Sequence, residues 1–594
     1  MINRLVNGTR SRKGIALVIV MMVLAIALVL AVAVSFTIFT EIENTKRGTT
    51  TTQAFFAAEG GQELGRRLLD DIMQTFSVPT ITTTSDMDEY ASMALSGDRS
   101  GDNDIGVLRD FVPGFDELLP RGEVVYSAEL GAGADKATYD LSYDFTPTDV
   151  DYPDPGDPSD AYVFYYDYSV TAVGKKPGSR LSGEQVTRLT GSFEVRVFHP
   201  SFSFYNFFTV NMSTPSGHQI YFASDELLAG PVYVGSRPGF AGDNAGGGPV
   251  FTDQFQTTWD SYETSQLIYN PVVTWNEEYP PLWGVDAIPT PTNALSQARI
   301  SMGDYAGAGD LSALTNLERR QNLGLLENNN SINPGVYYAK SDGTGDTGNT
   351  TNEALGGIYV YGDVTRMRLG QSGTHQLMWI TQGGGTTKFD INNSTGVTTV
   401  QKPDGSSVTL DGAFNGLVYV DGTLYDLGGS SSYESSLDEE TQMTVAAKGT
   451  IYLDNHITYE VDPRDDPETK NVLGLFSGEN NVLVARDAPY DMTIHATIMA
   501  TGDGKGFGVQ DYASKPPSGQ LNVLGGIIMN SYQAIGTFSY YGQVSGYSKN
   551  FVYDQRFLDS SFAPPYFPVV QPYVGRLRSI NRTDWGQVVP EPPA

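Results

Sequence analysis

The sequence predicts a mostly β protein that begins with one long α-helix. Three observations support this fold class: an uninterrupted apolar segment near the start, period-two alternation of aromatic and polar residues after it, and many short apolar runs between turn residues in the remainder. The 65 Gly, 32 Pro and 34 Tyr are typical of turns and aromatic-rich strands. A chain of 594 residues exceeds one typical core, so two or three domains are expected.

The overall composition excludes several kinds of chemistry. The chain has no cysteine, which rules out disulfides, thiolate metal sites and cysteine nucleophiles. Its formal net charge is −32, and duplex DNA repels a surface of that sign. The composition therefore argues against a general electrostatic DNA-binding protein, although it is compatible with a local basic patch.

The apolar segment covers residues 15–39 and contains no charged residue. A helix of that length spans the hydrocarbon core of a bilayer. Basic residues precede the segment and Glu41 and Glu43 follow it, so the basic flank is expected to stay in the cytoplasm and the rest to lie outside. A cleaved secretory signal fits poorly, because the run is too long and no small-x-small motif ends it. An ordinary signal anchor is the alternative.

The helix is predicted to continue past the membrane, because residues 41–73 contain no proline. Its second half is amphipathic, and a long amphipathic continuation is unusual for a plain anchor. The residues predicted to share its apolar face are Phe55, Phe56, Leu64, Leu68, Leu69 and Ile72.

The residues just before the apolar segment resemble the class III leader of type IV prepilins. In Arg12-Lys13-Gly14-Ile15, Arg12 and Lys13 correspond to the cationic part of the leader. The resemblance implies that a prepilin peptidase cuts between Gly14 and Ile15 and leaves the apolar helix in place. The stretch AFFAAEGG at residues 54–61 is similar to one common in PilX-type minor pilins.

One residue departs from the usual pilin pattern. Pilins usually carry a glutamate at mature position 5, where this chain has Ile19. The glutamate pairs with a neighbouring subunit's N-terminal amine, so that its charge is not buried unpaired. Its absence, together with the size of the chain, favours a subunit at the tip or start of a fibre over a major pilin.

Alternating residues predict antiparallel strands in residues 121–205. A four-stranded sheet packed on the helix is the pilin arrangement, and residues 76–205 are expected to form such a subdomain. The apolar positions that alternate with polar ones are Tyr139, Leu141, Tyr143 and Phe145, then Tyr162, Phe164, Tyr166, Tyr168 and Val170, then Phe193, Val195 and Val197.

Residues 206–570 predict a β-solenoid. Short apolar strands alternate with Gly, Asn and Asp turns, and leading positions recur at Ile451, Leu473, Ile494 and Leu521. A stacked β-sandwich is the alternative. Residues 201–234 and 519–568 resemble large β-solenoid-bearing type IV minor (competence) pilins, one of which is associated with DNA uptake. The predicted organisation is leader 1–14, transmembrane and extended helix 15–75, pilin-like subdomain 76–205, β-solenoid-like domain 206–570 and C-terminal tail 571–594.

An acidic loop is the candidate metal site. Five aspartates lie within twelve residues, and clustered carboxylates suit Ca²⁺, the one cofactor considered. Three prolines exclude an EF-hand there, and a solvated loop is the alternative reading. The aspartates are Asp149, Asp151, Asp154, Asp157 and Asp160.

A short basic stretch near the C-terminus is the candidate DNA contact. Arg576, Arg578 and Arg582 lie beside Tyr573 and Trp585, and basic residues next to aromatic ones suit single-stranded nucleic acid. Scattered solvated charges are the alternative.

No catalytic motif is evident. The five histidines lack metal-ligand spacing, and GxSxG and P-loop motifs are missing from the sequence. The chain is therefore expected not to be an enzyme, and a carbohydrate-degrading β-helix stays open only as an alternative.

The expected function is that of a large minor pilin or pseudopilin that joins a type IV pilus or a related fibre at its tip. The fibre would serve pilus assembly, adhesion or DNA uptake. Expected partners are other pilins, a prepilin peptidase, the bacterial inner membrane, and DNA or a surface ligand, with most of the chain outside the cytoplasm. Alternatives are a membrane-anchored β-helix protein that binds or degrades carbohydrate, and a secretion-system pseudopilin.

Overall fold

The protein is mostly β-strand and has one long apolar helix at its N-terminus, as the sequence predicts. The helices of this computed structural model are α1 (Ser11–Gln74), α2 (Thr84–Leu95), α3 (Gly106–Phe111), α4 (Leu295–Ser301) and α5 (Asn316–Asn322). The residues described are 11–74, 84–95, 105–112, 114–118, 123–131, 136–153, 161–176, 184–224, 226–242, 247–264, 271–276, 280–325, 331–338, 356–411, 414–539, 542–558, 562–571 and 573–588.

The first half of α1 has no packing partner within the described chain. Side chains at residues 17–49 are all exposed, and the segment is long and apolar enough to cross a membrane. Its hydroxyl groups bond to the helix itself: Ser35 Oγ donates to the Ala31 carbonyl at 2.7 Å, and Thr40 Oγ1 to that of Phe36 at 2.8 Å. Such bonds satisfy polar groups where water is scarce.

The second half of α1 packs on a sheet through small residues. Ala54, Ala58 and Gly65 are buried, and a Cβ at Gly174 of the sheet would lie 1.9 Å from the Ala54 carbonyl oxygen. The predicted apolar face is partly wrong, because the Phe56 side chain is 60% exposed. At Gly174 the helix and sheet backbones approach so closely that no side chain fits between them.

The sheet under α1 is antiparallel, and its core alternates as predicted. Tyr143, Phe145 and Phe164 are fully buried, while the polar residues between them point away from the core. Its first four strands, in spatial order, are β1 (Val124–Leu130), β2 (Ala137–Asp151), β3 (Ala161–Lys175) and β4 (Gln185–Phe198).

A second region, residues 207–552, consists mainly of short parallel strands and is called the parallel-strand domain below. Its strands are β5 (Phe207–Asn211), β6 (Leu227–Leu228), β7 (Val232–Val234), β8 (Gly239–Phe240), β9 (Val250–Phe251), β10 (Phe255–Thr257), β11 (Glu263–Thr264), β12 (Leu282–Trp283), β13 (Gly335–Tyr338), β14 (Ile358–Tyr361), β15 (Arg366–Ser372), β16 (His375–Gln382), β17 (Gly385–Asn392), β18 (Val397–Gln401), β19 (Ser407–Asp411), β20 (Leu417–Asp421), β21 (Leu424–Gly429), β22 (Gln442–Ala447), β23 (Ile451–Leu453), β24 (Val472–Ser477), β25 (Val482–Val484), β26 (Met492–His495), β27 (Thr497–Ala500), β28 (Phe507–Val509), β29 (Gln520–Leu524), β30 (Ile527–Ser531), β31 (Gly536–Ser539), β32 (Gly542–Gly546) and β33 (Ser548–Val552).

The last strand, β34 (Val574–Val588), belongs to the first sheet and not to a tail. It pairs antiparallel with β4, with Val574 opposite Phe198 and Val588 opposite Val186. The predicted tail at residues 571–594 is therefore wrong for the part described, residues 573–588. The parallel-strand domain is inserted between β4 and β34, two neighbouring strands of one antiparallel sheet. The helix–sheet domain denotes α1 together with β1–β4 and β34.

Three sheets run along the parallel-strand domain. The largest has eleven strands in the order β12-β10-β7-β5-β30-β27-β24-β22-β20-β14-β13, parallel except at β13. A nine-stranded sheet has the order β19-β18-β17-β16-β15-β21-β23-β25-β28, parallel from β15 to β28 and antiparallel from β15 to β19. A third sheet has the parallel order β26-β29-β33.

The chain enters the largest sheet at its middle. β5 pairs with β30, and the chain then runs outward through β7 and β10 to β12. After α4 and α5 it resumes at β13 and β14, at the other end, and progresses back to β30. In chain order, the first and last strands of this sheet, β5 and β30, therefore lie side by side.

The predicted recurring positions do not belong to one sheet. Ile451 pairs with Val482 in the nine-stranded sheet, whereas Leu473 pairs with Met443 in the eleven-stranded sheet. Partners within one sheet are spaced unevenly, since Met443 pairs with Leu473 and Gly474 with Thr497, which are 30 and 23 residues apart. Turns of different length between strands explain the irregular period.

The two chain segments that join the domains pair with each other and are called the neck, residues 199–202 and 568–573. The Phe202 amide donates to the Pro568 carbonyl at 2.9 Å, and the Val570 amide donates to the Pro200 carbonyl at 2.7 Å. The His199 and Tyr573 rings stack with centroids 3.8 Å apart.

Candidate functional site

The predicted leader and cleavage residues lie at the start of α1. Arg12, Lys13, Gly14 and Ile15 are within its first helical turns, which begin at Ser11. The helix runs without interruption from these residues to Gln74, so the apolar half and the sheet-bound half are one element.

The predicted Ca²⁺ loop is described only at its start. Asp149 and Asp151 end strand β2, while Asp154, Asp157 and Asp160 lie outside the described residues. Both described carboxylates already accept hydrogen bonds: Asp149 from the Val150 amide at 2.9 Å, and Asp151 from the Tyr165 hydroxyl at 2.8 Å. No group of three or more potential metal-ligating side chains occurs in the part of the chain that the structure describes.

The predicted DNA-contacting arginines lie in β34. The backbone of Arg576 pairs with Arg196, that of Arg578 with Glu194, and that of Arg582 with Gly191. These arginines therefore lie on the edge strand of the antiparallel sheet, paired with β4, and not on an unpaired basic segment.

The outer surface of the nine-stranded sheet carries aromatic side chains next to charged ones. Trp379 stacks on Tyr433 with ring centroids 5.5 Å apart, and the Lys388 ammonium lies 5.7 Å from the Trp379 ring centroid. Gly370 makes room for this pair, because a Cβ there would lie 2.8 Å from the Tyr433 ring. A cation over an aromatic ring is attracted by its negative face.

A second aromatic pair lies two strands farther along the same sheet. Tyr425 of β21 and Tyr452 of β23 stack almost parallel, with centroids 6.0 Å apart and an interplanar angle of 2°. The Tyr425 side chain is 48% exposed. We call this surface the aromatic face. It consists of the rings of Trp379, Tyr433, Tyr425 and Tyr452 and the charged residues near them, which are Arg366, Arg368, Lys388, Asp390, Asp426 and Asp454.

Each of the three cations of the aromatic face lies within 4 Å of a carboxylate. The closest pair joins Arg368 and Asp454, whose atoms Nη2 and Oδ2 are 2.5 Å apart, with a second contact at 3.0 Å. Burial raises the pKa of Asp454, and the hydrogen bond from Arg368 opposes that shift. The two other pairs are Arg366–Asp426 at 3.4 Å and Lys388–Asp390 at 3.7 Å.

A cleft of about 560 Å³ lies beside the end of the parallel-strand domain. Its wall includes Arg556, whose side chain is almost fully buried and contacts the equally buried Asp554 at 2.6 Å. The same guanidinium donates to the carbonyls of Thr469 at 2.6 Å and Asn471 at 2.9 Å. These bonds fasten two chain segments together, which is a structural role.

Two histidines at the third sheet of the parallel-strand domain accept backbone hydrogen bonds. His495 Nδ1 accepts from the Tyr459 amide and His456 Nδ1 accepts from the Thr493 amide, both at 3.1 Å. Burial lowers the pKa of His495 to about 4, so this imidazole is neutral at pH 7 and able to accept. These histidines lack metal-ligand spacing in the sequence, and in the structure they bond to backbone amides.

Sequence reasoning did not identify the aromatic face. Its members come from segments that are distant in sequence, and no local pattern connects them. No family model matches the chain, and no curated protein or solved structure was found to be similar to it.

Proposed function

We propose that this chain is a large minor pilin or pseudopilin that is processed after Gly14 and joins a type IV pilus or related fibre, at its tip. The observation that carries the proposal is the division of α1. One half is bare and apolar, whereas the other is fixed to an antiparallel sheet by close helix–sheet contact. A bare apolar helix requires either lipid or neighbouring apolar helices.

The division of α1 suits a subunit that exchanges these two environments. In the inner membrane the first half would be surrounded by lipid, and in a fibre by the helices of other pilins. The globular part would stay outside the cytoplasm in both states. Ile19, an apolar residue in place of the usual glutamate, supports placement at the tip, where one neighbour is lacking.

The proposal includes a β-solenoid for the parallel-strand domain. Its support is the order of the eleven-stranded sheet, in which ten successive strands are parallel and in register. A bulky domain inserted at one edge of the helix–sheet domain is unsuited to repeated stacking along a fibre, which again favours the tip. Adhesion or DNA uptake would be its task there, and no catalytic role is proposed.

The processing step has a direct test. The full chain is expressed in membranes with a prepilin peptidase, and the mature N-terminus is determined by mass spectrometry. We expect a chain that begins at Ile15, and we expect Gly14→Val to abolish cleavage. Gly8→Val, in the same leader, is the matched control and leaves cleavage intact. A chain cut elsewhere, or equal processing of both variants, contradicts the pilin assignment.

The assembly step is tested by deleting the chain in its host and counting surface fibres. Restoring the wild-type chain should restore fibres, while the Gly14→Val chain should not. Unchanged piliation, adhesion and transformation after the deletion contradict the proposal. Loss of protein secretion instead of surface fibres would identify a secretion-system pseudopilin.

A membrane-anchored carbohydrate-binding or carbohydrate-degrading protein is the second candidate. The aromatic face favours binding, because stacked aromatic rings with polar neighbours suit sugar rings. Degradation would require a pair of free carboxylates, whereas those of the aromatic face are held by cations.

A further inference from the structure

We propose that the aromatic face binds an uncharged polysaccharide. The inference rests on the proposed function only for where this face is displayed, because binding itself needs neither a fibre nor a membrane.

The rings offer two stacking surfaces on one sheet. Trp379 lies on β16 and Tyr425 on β21, which are separated by β15 alone, so their strands are about 10 Å apart at ~4.8 Å per strand. Trp379 lies level with Gly428 of β21, three residues beyond Tyr425, so a polymer that crosses the strands obliquely would meet both aromatic pairs. Aromatic rings contact the apolar C–H face of a pyranose, while its hydroxyl groups hydrogen bond with polar groups at the ring edge.

The charges between the rings are balanced. Three cations, Arg366, Arg368 and Lys388, each have a carboxylate within 4 Å, so the cluster has no net positive charge to attract a polyanion. The chain as a whole carries −32, which further repels nucleic acid and acidic polysaccharide. Planar Arg–carboxylate pairs nevertheless present donors and acceptors, which are the groups that sugar hydroxyls need.

Four antiparallel strands, β16 to β19, extend the parallel part of the nine-stranded sheet and widen the aromatic face. β16 to β19 run antiparallel beyond β15, and no strand of the eleven-stranded sheet pairs with them. They position Trp379 and Lys388 by continuous register, with Trp379 opposite both Arg368 and Lys388. Rigid strands fix the rings before a ligand arrives, which lowers the entropy lost on binding.

The experiment uses the full chain in lipid nanodiscs, because sugar-headed detergents would compete for the site. Binding of cellohexaose, chitohexaose and maltohexaose is measured by calorimetry at 50 and 500 mM NaCl, with polygalacturonate and a 20-nucleotide oligothymidylate as charged comparators. We expect saturable binding of at least one neutral hexasaccharide, with a Kd that changes less than about twofold between the two salt concentrations.

Variants locate the binding surface. Tyr425→Ala is expected to weaken binding at least about fivefold and Trp379→Ala about tenfold, since each removes one stacking surface. Tyr490→Ala and Trp259→Ala, which remove exposed rings outside the face, are the matched controls and should leave the Kd unchanged. Thermal unfolding of each variant separates loss of binding from loss of fold, and Tyr425→Phe, which keeps the ring, should bind normally.

Three results would overturn the inference: no binding of any neutral hexasaccharide, equal weakening by the control variants, or tighter and strongly salt-dependent binding of the oligothymidylate. The last result would assign the face to DNA instead. None of these results bears on cleavage after Gly14 or on fibre assembly, so the two proposals fail separately.

Discussion

The helix–sheet domain and the parallel-strand domain bury their strands in different ways. In β2 buried and partly exposed residues alternate, because α1 covers one face only. In β24 all six residues from Val472 to Ser477 are buried, because both faces of that sheet are covered. Alternation thus identifies strands and faces in the first domain, but in the second it carries little information. The parallel-strand domain has an extensive apolar core, and buried polar bonds additionally fix one of its segments against another.

The largest expected effect comes from breaking the buried Asp554–Arg556 pair, which is bonded to the parallel-strand domain at Thr469 and Asn471. Arg556→Ala leaves the Asp554 carboxylate buried without a cation, and we expect the free energy of unfolding of that domain to fall by about 3–5 kcal/mol. Tryptophan fluorescence during denaturation reports this domain, since four of the five tryptophans lie within it.

The control for this change is Lys470→Ala, which removes an exposed partner of Glu440 in the same region. It should leave the transition almost unchanged, because solvent screens an exposed pair. An equal shift by the two variants would mean that the buried pair does not distinguish this domain.

Acid should separate the two domains next. The pKa of His495 is about 4 in the folded chain against 6.5 for an ordinary histidine, so on acidification the unfolded chain takes up this proton first. Stability of the parallel-strand domain is therefore full above pH 6.5 and is lost as pH falls toward about 4, by up to about 3 kcal/mol from this group.

The measurement is the free energy of unfolding at pH 7 and pH 5, for the wild-type chain and for His495→Gln. The variant should lose less stability between these two pH values. The exposed His218, changed to Gln, is the control and should behave like the wild type. Identical pH dependence in all three chains would exclude His495 as the source.

The helix–sheet domain is expected to be most sensitive to substitution where α1 packs closely on β3, at Gly174. Gly174→Ala forces a Cβ against the Ala54 carbonyl, and we expect a loss of about 1–3 kcal/mol that is confined to α1 and the sheet under it. Hydrogen exchange should rise in β3 and in the second half of α1. Gly309→Ala, where a Cβ meets open space, should change neither domain. Faster exchange in β24 would show that the two domains unfold together.

The smallest effect concerns the helices that cover the eleven-stranded sheet. Thr315 caps α5 by accepting from the Glu318 amide at 3.2 Å, and the Glu318 carboxylate accepts in return from the Thr315 amide at 2.6 Å. Thr315→Ala should destabilise α5 by about 1 kcal/mol, seen as faster hydrogen exchange at residues 316–322. Thr315→Ser keeps the oxygen and should restore slow exchange.

The sequence was informative where one local pattern determined the structure. The apolar run gave the helix, and alternation gave the buried residues Tyr143, Phe145 and Phe164. β34 was missed because it shows no regular alternation and its partner, β4, lies far away in sequence. The aromatic face was missed for a related reason. Trp379, Tyr425 and Tyr452 lie on one sheet because of the order of its strands, and local periodicity in the sequence does not reveal that order.

The neck has a mechanical consequence. Both ends of the parallel-strand domain leave it side by side at residues 199–202 and 568–573, so tension on a ligand held by that domain does not pull its first and last residues apart. The load passes instead into β4 and β34 together. β4 is held lengthwise against β3 from Gln185 to Phe198, and pulling along that ladder strains many hydrogen bonds at once. Because it is inserted in this way, the parallel-strand domain is not stretched between its ends under tension, and the force is borne by the strands that lie on α1.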